Sequence, residues 1–484
     1  MTVAADRRQF LALAGLALPT AACMPALRMP IAAPTLSPFF DDLEQRTFAF
    51  FWETVNRRNG LVPDRWPDPP FASVAAVGFA LTVYPLGVER GWITRAEARD
   101  LTLTTLRFFA TAPQGTAASG VSGHRGFFYH FLEMESGHRF RNTELSSVDS
   151  SLLFLGMIFA GLWFDGADPA EREIRALAET IVARADWPWF QNGTPDISMG
   201  WFPDKGFIAR SWDGYNEGMM VYLLALGASG KPIADGGWDA WTAPYSKVWR
   251  GTGDTRRLAF APLFGHQYSH MWIDFRGIRD APMRAAGLDY FENSRRAVYA
   301  NRAYCAANPM RWDGYSRDIW GLTACDGPGE FTRSIGGESR HFHGYAARGP
   351  VGEPDGLDDG TIAPTAALGS VPFAPEICVP AAEALHARHG ARIYGRYGFL
   401  DSFNPSFRDT GVLLKRGRVD PVHGWIATNY LGIDQGPILG MLANHRNDAI
   451  WRVMRRSPVL RRGLTRAGFT GGWLDNRLPG PPRP

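Results

Sequence analysis

The sequence predicts an all-α protein built as a toroid of paired helices, and two observations support this prediction. First, apolar stretches of about 12–20 residues recur along the 484-residue chain, whereas strand-like alternation is rare. Second, several stretches are apolar on every side, which indicates buried helices rather than amphipathic surface helices. Because no composition break divides the chain, we expect one large domain in which apolar inner helices lie inside an amphipathic outer ring. A helical bundle would give similar patterns.

Individual helices are predicted from apolar periodicity and from end signals. The helix over 94–111 opens with a capping box formed by Thr94 and Glu97, and the helix over 168–184 has Pro169 near its start. A hairpin or loop is expected over 119–141, which is rich in Gly, His and aromatic residues. Further helices are predicted over 39–55, 72–86, 144–164, 217–227, 237–247, 266–275, 283–307, 313–322, 363–369, 375–389 and 436–451.

Composition limits the class of partner. Hydrophobic residues make up 45% and charged residues 20%, so a large core is expected. The net charge of +3 argues against a nucleic-acid partner. The 17 Trp fit a large core or a carbohydrate platform, since indole faces pack on the C–H faces of sugars.

The N-terminus has the pattern of an export signal. Residues 6–11 (DRRQFL) resemble a twin-arginine motif, and the apolar run over 11–18 is too short to span a bilayer. Residues 20–23 (TAAC) resemble a lipoprotein box with Cys23 as the lipidated residue, although Thr20 fits the first position weakly and leaves cleavage without lipidation open. We therefore expect a signal and spacer over 1–30, a domain over 31–470 and a flexible Gly/Pro-rich tail over 471–484. The protein would then be a monomer in the periplasm or on the outer membrane, contacting membrane only through its lipid.

Three further cysteines, Cys305, Cys325 and Cys378, permit one disulfide. Their spacing does not match a zinc cage, and we expect buried free thiols.

The acid Glu217 is the first catalytic candidate. Asn216 is predicted to cap the apolar helix that follows, and Trp212 and Tyr215 precede it as possible walls of a sugar pocket. A position at a helix N-terminus lowers the pKa of an acid, whereas a general acid needs a raised pKa. Burial must therefore outweigh the helix dipole if Glu217 is to donate a proton.

Asp401, in an aromatic loop, is the second candidate, because desolvation there would raise its pKa. Glycoside hydrolysis needs two carboxyl groups, one protonated and one ionised, and in inverting enzymes they lie roughly 6.5–9.5 Å apart. We expect Glu217 and Asp401 to face one cavity at about this separation, or somewhat further apart if a substrate hydroxyl relays the proton. Asp149 and Asp434 are more simply explained as helix caps.

Metal binding is not expected. His266 and His270 have the i, i+4 spacing of a two-histidine site, but Gln267 replaces the glutamate of the zinc protease motif. His341 and His343 with Glu338 form a second weak candidate. The acidic loop 358–365 lacks the regular oxygen ligands of a calcium loop.

Several strings, taken together and in order, resemble one family, the glucoamylase-like ("glycoamylase") proteins, which include bacterial endo-β-1,2-glucanases. They are ELSSVD (144–149), GYNE (214–217), ALG (225–227), FGHQYSH (264–270), WIDFR (272–276), NSR (293–295), WGLTA (320–324), DDGTIAPT (358–365), PFAPE (372–376) and GIDQGP (432–437). The resemblance implies an (α/α)6 toroid and hydrolysis of a β-glucan, most simply β-1,2-glucan, with inversion and without a cofactor.

The resemblance also implies roles for particular residues. Glu217 matches the general acid and Asp401 the general base. Residues expected to bind substrate are Glu144, Asp149, Trp212, Tyr215, His266, His270, Asp274, Arg276 and Asp359, although Asp274 and Arg276 could instead form a local ion pair. The segment 327–348 is longer than usual for the family and could close one end of the cleft. Exo action, another glucose linkage, transglycosylation and a non-catalytic glycan-binding lipoprotein therefore remain open.

Overall fold

The computed structural model describes residues 36–68 and 71–476, and most of this part of the chain is helical or in irregular loops. The predicted signal, Cys23 and the residues after 476 lie outside it. The α-helices are α1 (Pro38–Thr54), α2 (Val74–Glu89), α3 (Arg95–Thr111), α4 (Ser147–Trp163), α5 (Pro169–Ala183), α6 (Trp187–Phe190), α7 (Met219–Gly227), α8 (Gly236–Thr242), α9 (Tyr245–Val248), α10 (Phe264–Trp272), α11 (Ala281–Ala286), α12 (Tyr290–Ala307), α13 (Pro364–Leu368), α14 (Pro375–Ile393), α15 (Gly432–Asn447), α16 (Trp451–Met454) and α17 (Pro458–Arg466).

The strands are short and lie in the connections between helices, mostly as two-stranded antiparallel pairs. They are β1 (Arg65–Trp66), β2 (Phe71–Ser73), β3 (Gly123–His124), β4 (Phe127–Phe128), β5 (Phe131–Glu133), β6 (Leu145–Ser146), β7 (Ile197–Ser198), β8 (Gly200–Phe202), β9 (Gly206–Phe207), β10 (Ser211–Trp212), β11 (Trp249–Arg250), β12 (Arg257–Leu258), β13 (Ala324–Cys325), β14 (Phe331–Ile335), β15 (Glu338–Phe342), β16 (Ala346–Ala347), β17 (Tyr394–Gly395), β18 (Gly398–Phe399), β19 (Phe403–Asn404), β20 (Arg418–Asp420), β21 (Gly424–Ile426) and β22 (Tyr430–Leu431).

A set of buried helices packs one against the next. Helix α2 packs on α4, α4 on α7, α10 on α15, α13 on α15, and α15 back on α2. Between them, Ser269 of α10 donates to the carbonyl of Glu217 (3.4 Å), just before α7, and Gln267 of α10 donates to the carbonyl of Ala366 in α13 (3.0 Å). The contact between α2 and α4 is close because glycine lies on both sides of it. A Cβ at Gly78 of α2 would collide with the backbone of α4, and a Cβ at Gly156 of α4 would collide with the backbone of α2. The structure therefore contains the buried helices that the sequence predicts.

The remaining long helices pack outside this set. Helix α1 contacts α2 and α15, α5 contacts α3 and α4, and α17 contacts α7. Helix α12 packs on α10, and α14 on α13. The capping box that opens α3 has formed between Thr94 and Glu97, as predicted. The apolar periodicity thus identified both buried and partly exposed helices correctly.

Some sequence predictions differ from the structure. Residues 313–322, predicted as a helix, form turns, in which Gly314 and Gly321 have positive φ values (87° and 142°) that a helix excludes. Asn216 does not cap α7. Its side chain accepts from the N–H of Gly218 (2.8 Å), so the helix starts at Met219 and Glu217 precedes it. The stretch 283–307 is divided into α11 and α12 by Gly287 in the left-handed region.

The cysteines and chain ends complete the fold. Cys305, Cys325 and Cys378 are buried free thiols, as predicted. The first residues of the predicted tail are attached to the domain, because the indole N–H of Trp473 donates to the carbonyl of Asp274 (2.7 Å). No helix in the described ranges is both long and apolar enough to cross a membrane.

Candidate active site

A cavity of about 430 Å³ is lined by residues from loops and helix starts that are far apart in the sequence. Its polar wall combines three carboxyl groups with three cationic side chains, and its apolar wall is mainly aromatic. The lining residues are Asp64, Arg65, Phe71, His130, Phe131, Val148, Asp149, Leu152, Glu217, Phe264, Tyr268, Ala324, Tyr345, Ala347, Arg416, Leu431 and Ile433. Aromatic faces with a few polar groups are the usual composition of a pocket that binds a small polar ligand.

Glu217 lies in this wall, in the loop just before α7. Its Oε2 atom is buried and has no hydrogen-bond partner in the described residues. Burial raises the pKa of Glu217 to about 7, and the nearby Asp149 contributes in the same direction. Burial therefore outweighs the helix dipole, and a large fraction of Glu217 is protonated near neutral pH.

His130, on the same wall, bridges two acids, of which Asp149 also lines the cavity. Its Nδ1 lies 2.7 Å from Glu144 Oε1, and its Nε2 lies 3.4 Å from Asp149 Oδ1. Burial alone would lower the pKa of His130, but the charges of Asp149 and Glu144 raise it to about 9. His130 is thus an imidazolium at neutral pH. Asp149 is not the helix cap, because Ser146 caps α4 and its hydroxyl donates to Asp149 Oδ2 (2.5 Å).

Asp401 is 1% exposed and is not among the residues that line the cavity, so the expectation that it faces the same cavity as Glu217 is not met. Its Oδ2 accepts from the backbone N–H of Asp326 (2.8 Å) and from the hydroxyl of Ser402 (2.9 Å). Its Oδ1 and the Oδ2 of Asp434 are buried, and neither accepts a hydrogen bond from any other described residue.

Asp401 and Asp434 are adjacent acids. Burial raises the pKa of both acids. The charge of Asp401 raises the pKa of Asp434 further, whereas the hydrogen bond from Asp434 lowers the pKa of Asp401. A side-chain hydrogen bond between them requires one proton. The proton resides mainly on Asp434, because two donors already stabilise the ionised form of Asp401. Asp434 lies in the first turn of α15, but its carboxyl group faces Asp401 rather than capping the helix.

An ion-pair network connects this acid pair to the cavity. Arg65, which lines the cavity, donates to Asp326 (2.7 Å) and to Asp64 (3.1 Å). Arg416 also contacts Asp326 (3.2 Å). Because the backbone of Asp326 donates to Asp401, a single residue links the buried acid pair with two cationic side chains of the wall.

A second cavity of about 620 Å³ adjoins the first, since Tyr345 and Arg416 line both. The long segment 327–348 supplies much of its wall. This segment forms a β14–β15 hairpin whose two-residue turn, Gly336 and Gly337, has positive φ at both positions (59° and 83°), as a type I′ turn requires. Tyr345 is 52% exposed and lies between the two cavities.

Four predicted binding residues lie behind the wall rather than in it. Trp212 is buried and donates to Ser147 (2.9 Å), and Tyr215 is buried against Tyr290, with ring planes 5° apart. His266 and His270 are fully buried, and burial lowers the pKa of each to about 3, so both are neutral. Their side chains hold α10 in place and do not reach the cavity.

Three further predicted binding residues have structural partners. Asp274 accepts from Arg276 (2.7 Å) and from Arg455 (2.9 Å), so the open alternative of an ion pair is correct. Asp359 forms a bidentate pair with Arg348, and both side chains are 0% exposed. Asp274, Arg276 and Asp359 are therefore already paired with other charged side chains, and none of the three lines the cavity.

Sequence reasoning missed several cavity residues. Asp64, His130, Tyr345 and Arg416 lie in loops, and Arg65 lies in the two-residue strand β1, where periodicity gives no signal. His130 was the most accessible to prediction, because it lies in the aromatic loop 119–141 that precedes the acids Glu144 and Asp149. Only the fold shows that these loops converge.

Solved structures define the class of fold. An endo-beta-1,2-glucanase from Chitinophaga pinensis, solved with sophorotriose and glucose, is 25% identical with a TM-score of 0.75, over 91% of this chain and all of that one. A beta-1,2-glucanase from Parabacteroides distasonis is 24% identical with a TM-score of 0.74, over 89% of this chain and 59% of that one. The chain therefore has the helix-rich fold of the glucoamylase-like glycoside hydrolases.

The family follows from the sequence match. The model of the Glycoamylase family, described as glucoamylase, matches residues 209–458, and the chain belongs to this family. An exo beta-1,2-glucooligosaccharide sophorohydrolase (non-reducing end) of Parabacteroides distasonis is 26% identical over 453 residues. That match covers 88% of this chain, which spans only 57% of the length of the relative.

Proposed function

We propose that this protein is a glycoside hydrolase that cleaves β-1,2-linked glucan, with Glu217 as the proton donor. The observation that carries the proposal is the buried, unpartnered Oε2 of Glu217 in an aromatic cavity, with a pKa raised to about 7. An acid that keeps its proton near neutral pH can protonate the leaving glycosidic oxygen. The β-1,2 linkage is proposed because the named relatives act on it.

The ionised partner in this proposal is Asp401. Asp149 also lies near Glu217, but its two oxygens are engaged by His130 and Ser146. Asp401 is instead the ionised member of a pair in which Asp434 holds the proton, and no other described residue donates to its Oδ1. Since Asp401 is buried, it would activate water only when bound substrate or a water chain connects it to the cavity. A base that activates water inverts the anomeric centre.

The other wall residues would bind the sugar. The imidazolium of His130, with Glu144 and Asp149, offers charge-assisted hydrogen bonds to hydroxyl groups. Phe71, Phe131 and Tyr345 offer apolar faces for sugar C–H groups. No residue in this scheme requires a cofactor.

The decisive experiment is incubation of the full chain with linear β-1,2-, β-1,3-, β-1,4- and α-1,4-glucans, with product length and initial anomer followed by NMR. We expect cleavage of β-1,2-glucan alone, with the α-anomer released first. Product lengths distinguish endo from exo action. Binding of β-1,2-glucan without cleavage would instead favour the glycan-binding alternative.

We further propose that the inner helices close into an (α/α)6 toroid. Six inner members are supported by the contacts α2–α4, α4–α7, α10–α15, α13–α15 and α15–α2. Hydrogen bonds also join α10 to the residue Glu217 before α7 and to Ala366 of α13. An experimental structure in which α15 does not return to α2 would contradict this topology.

Export and lipidation at Cys23 remain proposals supported by the residue pattern. Mass spectrometry of the mature protein expressed in a bacterium tests both. A diacylglyceryl adduct on Cys23, absent from Cys23→Ser, is the expected result, and an unprocessed N-terminus would contradict it.

A further inference from the structure

The open end of the β14–β15 hairpin brings two imidazole rings and a carboxylate together. Glu330 Oε2 lies 3.1 Å from His341 Nε2 and 3.3 Å from His343 Nδ1. The three donor atoms all lie within 4.8 Å of one another. His341 and His343 are two residues apart along an extended chain, so their side chains leave the same face. The donor atoms therefore face a common point.

The separations suit a tetrahedral metal ion. Zinc binds imidazole nitrogen and carboxylate oxygen at about 2.0–2.2 Å, so neighbouring donors in a tetrahedral site are about 3.3–3.5 Å apart. The distances from Glu330 to His341 and to His343 are already close to this value. Small side-chain rotations would complete the geometry without moving the backbone.

Outer hydrogen bonds already orient two of the ligands. The second oxygen of Glu330, Oε1, accepts from the N–H of Gly344 (2.9 Å), which leaves Oε2 directed at the histidines. On the opposite side of His341, its Nδ1 lies 3.0 Å from the hydroxyl of Thr332, its cross-strand partner. Such partners fix ring orientation and tautomer in metal sites.

Other groups are poorer candidates. Glu338, the acid that the sequence suggested for this cluster, is paired instead with Arg311 and Arg340. The cluster of His130, Glu144 and Asp149 has similar spacing, but His130 and Asp149 line the first cavity, where the proposed function assigns them to the sugar. Within the described residues, the hairpin cluster is the better metal site.

We propose that Glu330, His341 and His343 bind one Zn²⁺ ion, with water in the fourth position. When zinc binds, the proton on Nε2 of His341 moves to Nδ1 of the same ring. Nε2 then coordinates the ion through its lone pair, and Nδ1 donates a hydrogen bond to the Thr332 hydroxyl. The side chains are 67%, 48% and 27% exposed, which gives the ion and its water access from solvent. Two imidazoles and a carboxylate also suit Co²⁺.

The ion would join Glu330, the residue before β14, to His341 in β15 and to His343 just after that strand. Glu330 and Gly344 line the second cavity, and Tyr345, which separates the two cavities, is the next residue. Zinc would therefore hold the wall residue Tyr345 in place without contacting substrate. This inference is independent of the proposed hydrolase function.

The test is calorimetric titration of the chelator-treated full chain with zinc chloride, together with the visible spectrum of the Co²⁺ form. We expect one ion per chain and the intense bands of tetrahedral cobalt. His341→Ala and His343→Ala should remove binding and the spectrum, and Thr332→Val should weaken affinity by about tenfold. Because these side chains are at least partly exposed, the variants should fold, which circular dichroism checks.

Two matched variants complete the design. His423→Ala removes another exposed histidine, one paired with Asp420 at 3.1 Å, and should leave zinc affinity unchanged. His130→Asn should also leave it unchanged. Absence of binding by the unaltered chain would overturn the proposal, as would retained binding in His341→Ala combined with loss in His130→Asn.

Discussion

Asp401 and Asp434 form a buried pair of acids that shares one proton. Each has an oxygen without another partner, and a hydrogen bond between the two side chains requires that one of them be protonated. Two donors, the Asp326 N–H and the Ser402 hydroxyl, favour the charge on Asp401. The pair can therefore present one ionised carboxylate at a pH where two buried charges would repel each other.

Asp434→Ala should separate the two limbs of the pH–rate profile. The substitution removes the side-chain hydrogen bond through which Asp434 lowers the pKa of Asp401, so this pKa rises and the acidic limb moves to higher pH. The alkaline limb follows the pKa of Glu217, raised to about 7 by burial, because activity is lost as pH rises and Glu217 loses its proton. That limb should not move. Joint movement of both limbs would contradict the separate assignments.

Glu217→Gln should reduce the rate of hydrolysis by at least about 100-fold. The amide has nearly the same shape but carries no transferable acidic proton, so the fold and substrate affinity should persist. Initial rates on β-1,2-glucan measure the effect. Glu179→Gln, an exposed position on α5, is the matched control and should keep full activity. A Glu217→Gln enzyme with normal rates would exclude Glu217 as the proton donor.

Asp359→Asn should affect stability rather than substrate affinity. It leaves the fully buried guanidinium of Arg348 without its countercharge, which should lower the free energy of unfolding by about 3–5 kcal/mol. Denaturant unfolding measures this change. Arg388→Ala breaks a pair with Asp318 whose side chains are about half exposed and should cost less than about 1 kcal/mol. An Asp359→Asn variant with unchanged stability but a raised KM would restore the substrate-binding role suggested by the sequence.

The loss of activity in Tyr345→Ala should depend on the length of the substrate. Because Tyr345 lines both cavities, only a chain long enough to pass from one to the other uses its ring fully. We expect kcat/KM for longer β-1,2-gluco-oligosaccharides to fall about tenfold, with less effect on the shortest cleaved substrate. Val422→Ala, at another exposed apolar residue, serves as the control. An equal loss at all lengths would contradict a role at the junction.

The sequence predicted the helices well where packing imposes a period. The apolar stretches of α2, α4 and α15 could be identified because every face of these helices is buried. The prediction of a helix over 313–322 was wrong. The aromatic residues of this stretch are compatible with a helix, but Gly314 and Gly321 adopt positive φ values and form turns. Local pattern carries no information about which backbone conformation a glycine adopts.

The site was predicted only in part, for a related reason. Glu217 could be found because it adjoins a buried helix, and its burial follows from that position. Asp359 and Arg276 attracted attention as charged residues in distinctive strings, yet each is neutralised by an opposite charge. Arg348 lies 11 residues from Asp359, and nothing in their spacing indicates the pair. Whether a charged side chain meets substrate or a counter-ion is decided by tertiary contacts.

Arg348 anchors the 327–348 segment in a way that allows its hairpin to change in length. Its guanidinium also donates to the carbonyls of Cys325, His343 and Gly344, so both ends of the 327–348 segment are fastened to the domain. The turn at Gly336 and Gly337 lies at the far end, where a Cβ added at either glycine would have no other atom within 4 Å. Pairs of residues inserted there would lengthen the hairpin while keeping its alternation of faces. Evolution or an engineer could thus change the reach of this hairpin without rebuilding the cavity beneath it.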